Sequence, residues 1–160
     1  MGGHVTALYH NLYDAGRAIE DLVASGIAPG EISLVTSEAR APIFEIEYDG
    51  DARRSAAAFG AIGGALGAIG AKLTASPGSS AGILATGPLL TALSGPDSRA
   101  QGLVGSLRTV GLSGSRARFY EHEIRRHDAL LVGVQSKRHE PVVVRNILER
   151  HHATAVTEPA

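Results

Sequence analysis

The chain has 160 residues, 44% of them hydrophobic but only 4% aromatic, with 20 glycines and a formal net charge of −1. That is enough apolar material for one core of ordinary size, built from small aliphatic side chains rather than rings. The lack of cysteine excludes disulfides, thiolate metal centres, iron–sulfur clusters and cysteine nucleophiles together.

Val5 to Leu8 is a short apolar run that predicts a strand. Asn11 suits a helix N-cap with Asp14 three residues on, and Ala15, Ile19, Leu22 and Val23 then share one helical stripe. Gly26 ends that helix, Pro29-Gly30 makes a turn, and Ile32, Leu34 and Val35 predict a second strand. Phe44 to Tyr48 alternates and predicts an extra edge strand. Ser55 to Ala71 then runs 17 residues without a charge, punctuated by Gly60, Gly63, Gly64, Gly67 and Gly70. Gly60 with Gly64 and Gly63 with Gly67 form two interlocked G-x-x-x-G pairs, which on a helix let a second backbone approach closely. Ser76-Pro77-Gly78 breaks this segment, and a second apolar stretch from Ala81 to Leu93, interrupted at Gly87-Pro88, supplies the return arm of a hairpin. Helical spacing resumes from Gln101 to Val110, with Gly102 and Gly105.

Ser113 then caps a helix running to about His127, with Ala117, Tyr120 and Ile124 inward and Glu121 paired to Arg125 one turn on. Ala129 to Val134 is nearly continuous apolar sequence, as a central strand requires. Pro141 opens a helix whose inward stripe is Val143, Val144, Ile147 and Leu148; His151 and His152 close it, and Ala153 to Thr157 is the last strand. The fold expected is α+β: a ferredoxin-like split βαβ–βαβ sandwich, two helices on one face of a four-stranded antiparallel sheet. A glycine-rich helical hairpin is inserted between its halves. Residues 1–50 form the first half, 51–112 the glycine-zipper insertion, and 113–160 a linking helix and the second half.

Val5-Thr6-Ala7-Leu8-Tyr9, Ile32-Ser33-Leu34-Val35, Ala61 to Gly67, Gly111-Leu112-Ser113, Arg118 to Glu121 and Leu130 to Val134 together resemble the bacterial general-stress or heat-induced stress protein family. The match extends over nearly the whole chain. The resemblance implies this architecture and a stress-related role without a defined chemistry. Ser76 to Ser80 and Thr91 to Ser98 are more polar than that family's pattern.

Gly63-Gly64-x-x-Gly67 is not a dinucleotide fingerprint and sits within a helical run; Gly70-Ala71-Lys72 lacks the remaining positions of a phosphate loop; Gly111 to Gly114 reads as an N-cap rather than a nucleophile elbow. Seven histidines raise a metal hypothesis, through His4 with His10 or His151 with His152. Adjacent histidines on a helix diverge, however, and a helix C-terminus favours His127, His151 and His152 without any ion. Residues 1–52 carry nine acids against two arginines while the rest carries thirteen bases against seven acids. No aromatics interleave with those bases, so the halves are expected to face each other rather than a nucleic acid. The expectation is a non-enzyme with no catalytic residue, metal or cofactor.

Five glycines within eleven residues, at about 1 kcal/mol each relative to alanine, would melt an isolated helix, so another backbone must pack upon it. The expected role is self-association as a homo-oligomer through Gly60, Gly63, Gly64, Gly67, Gly70, Gly102 and Gly105. The alternative is a membrane-associated protein, since an uncharged run flanked by Arg53-Arg54 and Lys72 has the outline of a short span. A small-ligand sensor is a third reading. The N-terminus lacks the basic start and apolar run of a signal peptide, so a cytoplasmic location is expected, with inner-membrane association as its counterpart.

Overall fold

A computed structural model describes residues 4–37, 64–70, 74–75, 83–93, 96–127 and 129–158. Within these, β1 (Val5–Tyr9) leads into α1 (Leu12–Ala24) through Asn11, whose Oδ1 accepts from the backbone N–H groups of Tyr13 at 2.7 Å and Asp14 at 3.3 Å. The cap satisfies two of the orphan donors of the first turn. A 3-10 turn at Pro29–Glu31 feeds β2 (Ile32–Ser37). After it come α2 (Gly64–Gly70), β3 (Thr74–Ala75), β4 (Ile83–Thr86), α3 (Pro88–Leu93), α4 (Pro96–Thr109) and α5 (Gly114–His127). The chain ends in β5 (Leu130–Val134), α6 (Pro141–Glu149) and β6 (Thr154–Thr157).

The six strands make one sheet in the order β3-β4-β2-β5-β1-β6, every neighbouring pair antiparallel. β5 is central, with Leu131 opposite both Leu8 of β1 and Val35 of β2. Val5, Ala7, Tyr9, Ile32, Leu34, Leu130, Val132 and Val134 point to one face, where they bury Ala15, Ile19 and Leu22 of α1 and Val144, Ile147 and Leu148 of α6. The Tyr9 hydroxyl, buried in this layer, donates to the Leu148 carbonyl at 2.7 Å and ties β1 to α6. The alternate residues Leu8, Val35, Ile83, Ala85 and Leu131 point to the other face and pack against Leu89 and Leu93 of α3, Leu103 and Leu107 of α4, and Tyr120 and Ile124 of α5.

Three expectations change. The sheet has six strands rather than four, and helices cover both of its faces rather than one. Ile83–Thr86, expected in the hairpin's return arm, is instead a strand paired along β2 from Leu34↔Thr86 to Ser37↔Ile83. Val143, expected inward, is 41% exposed, while Val144 occupies the buried stripe. The extra strand expected at Phe44 to Tyr48 lies outside the described residues. Among the described residues no helix is long and apolar enough to cross a membrane.

Candidate functional site

Of the seven glycines expected to form an interface, Gly60 and Gly63 lie outside the described residues. Gly64, Gly67 and Gly70 belong to α2. Its first turn is anchored by Glu20 of α1, whose Oε1 accepts from the Ala65 N–H at 2.7 Å. Leu66 and Ile69 are buried in the layer beneath α1, and Leu66 lies 3.5 Å from where a Cβ on Gly16 would stand. A Cβ at 16 would make ordinary van der Waals contact with Leu66, so the approach of the two helices does not depend on glycine there. At about 100° per residue, Gly64, Gly67 and Gly70 occupy an arc turned about 130° from the Leu66–Ile69 stripe. Gly102 and Gly105 of α4 do not offer a surface. Both are buried in the chain's own fold, and Gly102 sits at φ 68°, a kink that only glycine takes without strain.

A second feature was not legible as a site. His4 precedes β1 on the sheet face covered by α3 to α5, is only 4% exposed, and neither ring nitrogen has a hydrogen-bond partner. Its ring is accommodated by Gly133, where a Cβ would come within 3.6 Å of the His4 Cδ2 and 2.8 Å of the Leu89 Cδ1. An open cleft of about 630 Å³ adjoins it, lined among others by Gly30, Gly87, Pro88, Thr91 and Gln135. Among the described residues that line it, His4 is the ionisable one.

Burial holds the His4 imidazole below its ordinary pKa of 6.5. The unfolded chain therefore binds the proton more readily than the folded one, and folding stability must fall as pH drops below about 6.5. Replacing His4 by Phe is expected to remove this acid-side loss. The difference between wild type and variant should grow between pH 7.5 and 5 in urea titrations, and parallel pH profiles would exclude a buried neutral imidazole.

A third polar cluster is structural. The Tyr120 hydroxyl meets the Ala155 carbonyl at 2.5 Å, Thr6 Oγ1 at 2.9 Å and Thr157 Oγ1 at 3.0 Å, joining α5 to β1 and β6. It holds an irregular strand, for Ala155 has φ 52° beside a register shift between β1 and β6.

The histidine pairs suggested by sequence do not form as expected. His4 and His10 stand at opposite ends of β1, about 20 Å apart at strand rise. His10 meets Glu123 of α5 at 3.1 Å, and His151 meets Asp21 of α1 at 2.5 Å. The signal for Glu123 was its place four residues before His127 on one helix face; nothing in the sequence linked it to His10. No protein-family model, no curated protein and no solved structure matches the chain.

Proposed function

We propose that this is a non-catalytic, stress-type protein that self-associates through the glycine-rich helix, on a ferredoxin-like frame. The order β6-β1-β5-β2, with α1 and α6 on one face, supports the ferredoxin-like reading of the two βαβ halves. The observation that carries the association is the orientation of α2. Its bulky residues Leu66 and Ile69 pack into the chain's own core, while the Gly64–Gly67–Gly70 arc is turned to another side and Ala68, about 40° beyond Gly64, is exposed. A helix so expensive in glycine is stable only where another backbone covers that arc. With both sheet faces already occupied by the chain's own helices, a second copy would not dock on a sheet face.

The test is the double substitution Gly63→Val and Gly67→Val, followed by light scattering across a concentration series with and without mild detergent. The expected result is conversion of the assembled species to monomer, with the circular dichroism of the sheet retained. Assembly of unchanged mass would remove the glycine arc from the interface, and mass that collapses in detergent in the unsubstituted chain would favour a lipid-facing arc instead.

A further inference from the structure

We infer that His10, His122, Glu123 and His127 form a site for a borderline divalent cation of the zinc class, at the junction of β1 and α5. Glu123 is the hub. One carboxylate oxygen lies 3.1 Å from the His10 Nε2 and the other 3.7 Å from the His127 Nε2. The His127 ring is met edge-on by His122 with centroids 5.3 Å apart, and one ligating atom from each of His122, Glu123 and His127 lies within 4.8 Å of the others.

Three imidazoles and one carboxylate are the nitrogen–oxygen donor set that zinc-class ions prefer, whereas calcium and magnesium seek oxygen throughout. Metal–nitrogen bonds of about 2.0–2.1 Å at tetrahedral angles place ligand atoms about 3.3 Å apart. The His122–Glu123–His127 group therefore has to close by up to about 1.5 Å, and His10 has to swing in further from its contact with Glu123. The side chains that must move are free to do so: His127 is 56% exposed on the last residue of α5, and His10 is 42% exposed just past the end of β1. Glu123, at 17%, is the firm member.

The backbone favours a cation here too. The cluster sits on the last turn of a 14-residue helix, at the negative end of its dipole. The competing charge of Arg125 is directed to Glu121, 3.5 Å away. Because His10 and Glu123 are 113 residues apart in sequence, a bound ion would cross-link the first strand to the helix that covers it.

Chelator-stripped full-length protein, titrated with Zn2+ in a calorimeter and with Co2+ in a visible spectrometer, tests this. The expected result is one strong site per chain, intense visible Co2+ absorption of a tetrahedral centre, and a melting temperature raised by about 5–10 °C at a hundredfold excess over Kd. His122→Ala and His127→Ala should each weaken binding at least tenfold, at or beyond the loss caused by removing an outer-shell partner. These are exposed positions, so near-wild-type melting of the stripped variants checks that the fold survives. His151→Ala/His152→Ala should leave binding unchanged. Zn2+ affinity that is absent, that survives both ligand substitutions, or that disappears in the His151/His152 control would overturn the site.

Discussion

A Gly87→Ala chain is expected to lose about 3 to 5 kcal/mol of folding stability, a large part of what a domain of this size possesses. Gly87 joins β4 to α3 at φ 81°, where an L side chain is strained by about 1 kcal/mol or more. The space is also closed. An added Cβ would stand 2.4 Å from the Ile32 carbonyl oxygen, 2.8 Å from Ser33 Oγ and 2.9 Å from the Ser33 Cα. Two of those three atoms are backbone of β2, which cannot retreat without pulling away from β5. The third, Ser33 Oγ, accepts from the Leu89 N–H at 2.9 Å, so displacing it also uncaps α3. Chemical denaturation should show the loss as a lower midpoint at unchanged slope. Gly30→Ala is the matched control, because nothing lies within 4 Å of its added Cβ; it should stay within about 0.5 kcal/mol of wild type. Equal behaviour of the two variants would mean that the approach of the Gly87 turn to β2 is wrong.

Tyr120→Phe is the second large effect, expected at about 1 to 3 kcal/mol. The ring is wholly buried, so Phe refills the volume, and what disappears is one hydroxyl shared among Thr6, Ala155 and Thr157. Its loss removes the Tyr120 partner of the buried Thr6 hydroxyl, and leaves the half-buried Ala155 carbonyl the longer contact from Thr157 Oγ1. It also releases the only tie on the Ala155 carbonyl that comes from α5, in a strand already strained at φ 52°. Amide exchange should therefore quicken in β6 before it does in β5. Burial raises the Tyr120 pKa above 10.0, so the folded state favours the neutral phenol and stability is lost as pH climbs past 10. Tyr9 shares this behaviour, so the alkaline loss should shrink in Tyr120→Phe without vanishing. Wild-type exchange rates in β6 would show that the hydroxyl does not hold the strand.

The two ends of the chain were readable because local signals there agree with tertiary demands. Asn11, Ser113 and Pro141 each stand where a helix begins, and Ala117, Tyr120 and Ile124 repeat at the spacing that buries them. Spacing to Ile147 and Leu148 places both Val143 and Val144 inward, and only Val144 of the two is buried. The three consecutive valines, Val142 to Val144, cannot share one helical face, and it is Val144 that falls in line with Ile147 and Leu148. Ile83–Thr86 is a four-residue apolar run ahead of Gly-Pro, equally compatible with strand and helix; its pairing with β2, some fifty residues earlier, decides it. A stronger hint was present in β5, whose unbroken Leu130 to Val134 run requires cover on both faces and so called for helices on the far side of the sheet. The imidazole cluster was hidden for a plainer reason: periodicity reports neighbours along one element, and His10 meets Glu123 only after the sheet is assembled.

The position of β5 bears on how the protein comes into being. On the ribosome, β1 and β2 emerge within the first 37 residues, yet the strand that must separate them is completed only at residue 134. At about 5–20 residues per second, Leu8 and its β1 neighbours wait roughly 6 to 25 seconds for a strand to pair with, whereas β2 can pair with β4 once residue 86 has been made. Pairing over so long a stretch of chain slows folding and keeps the apolar first strand exposed while the rest is made.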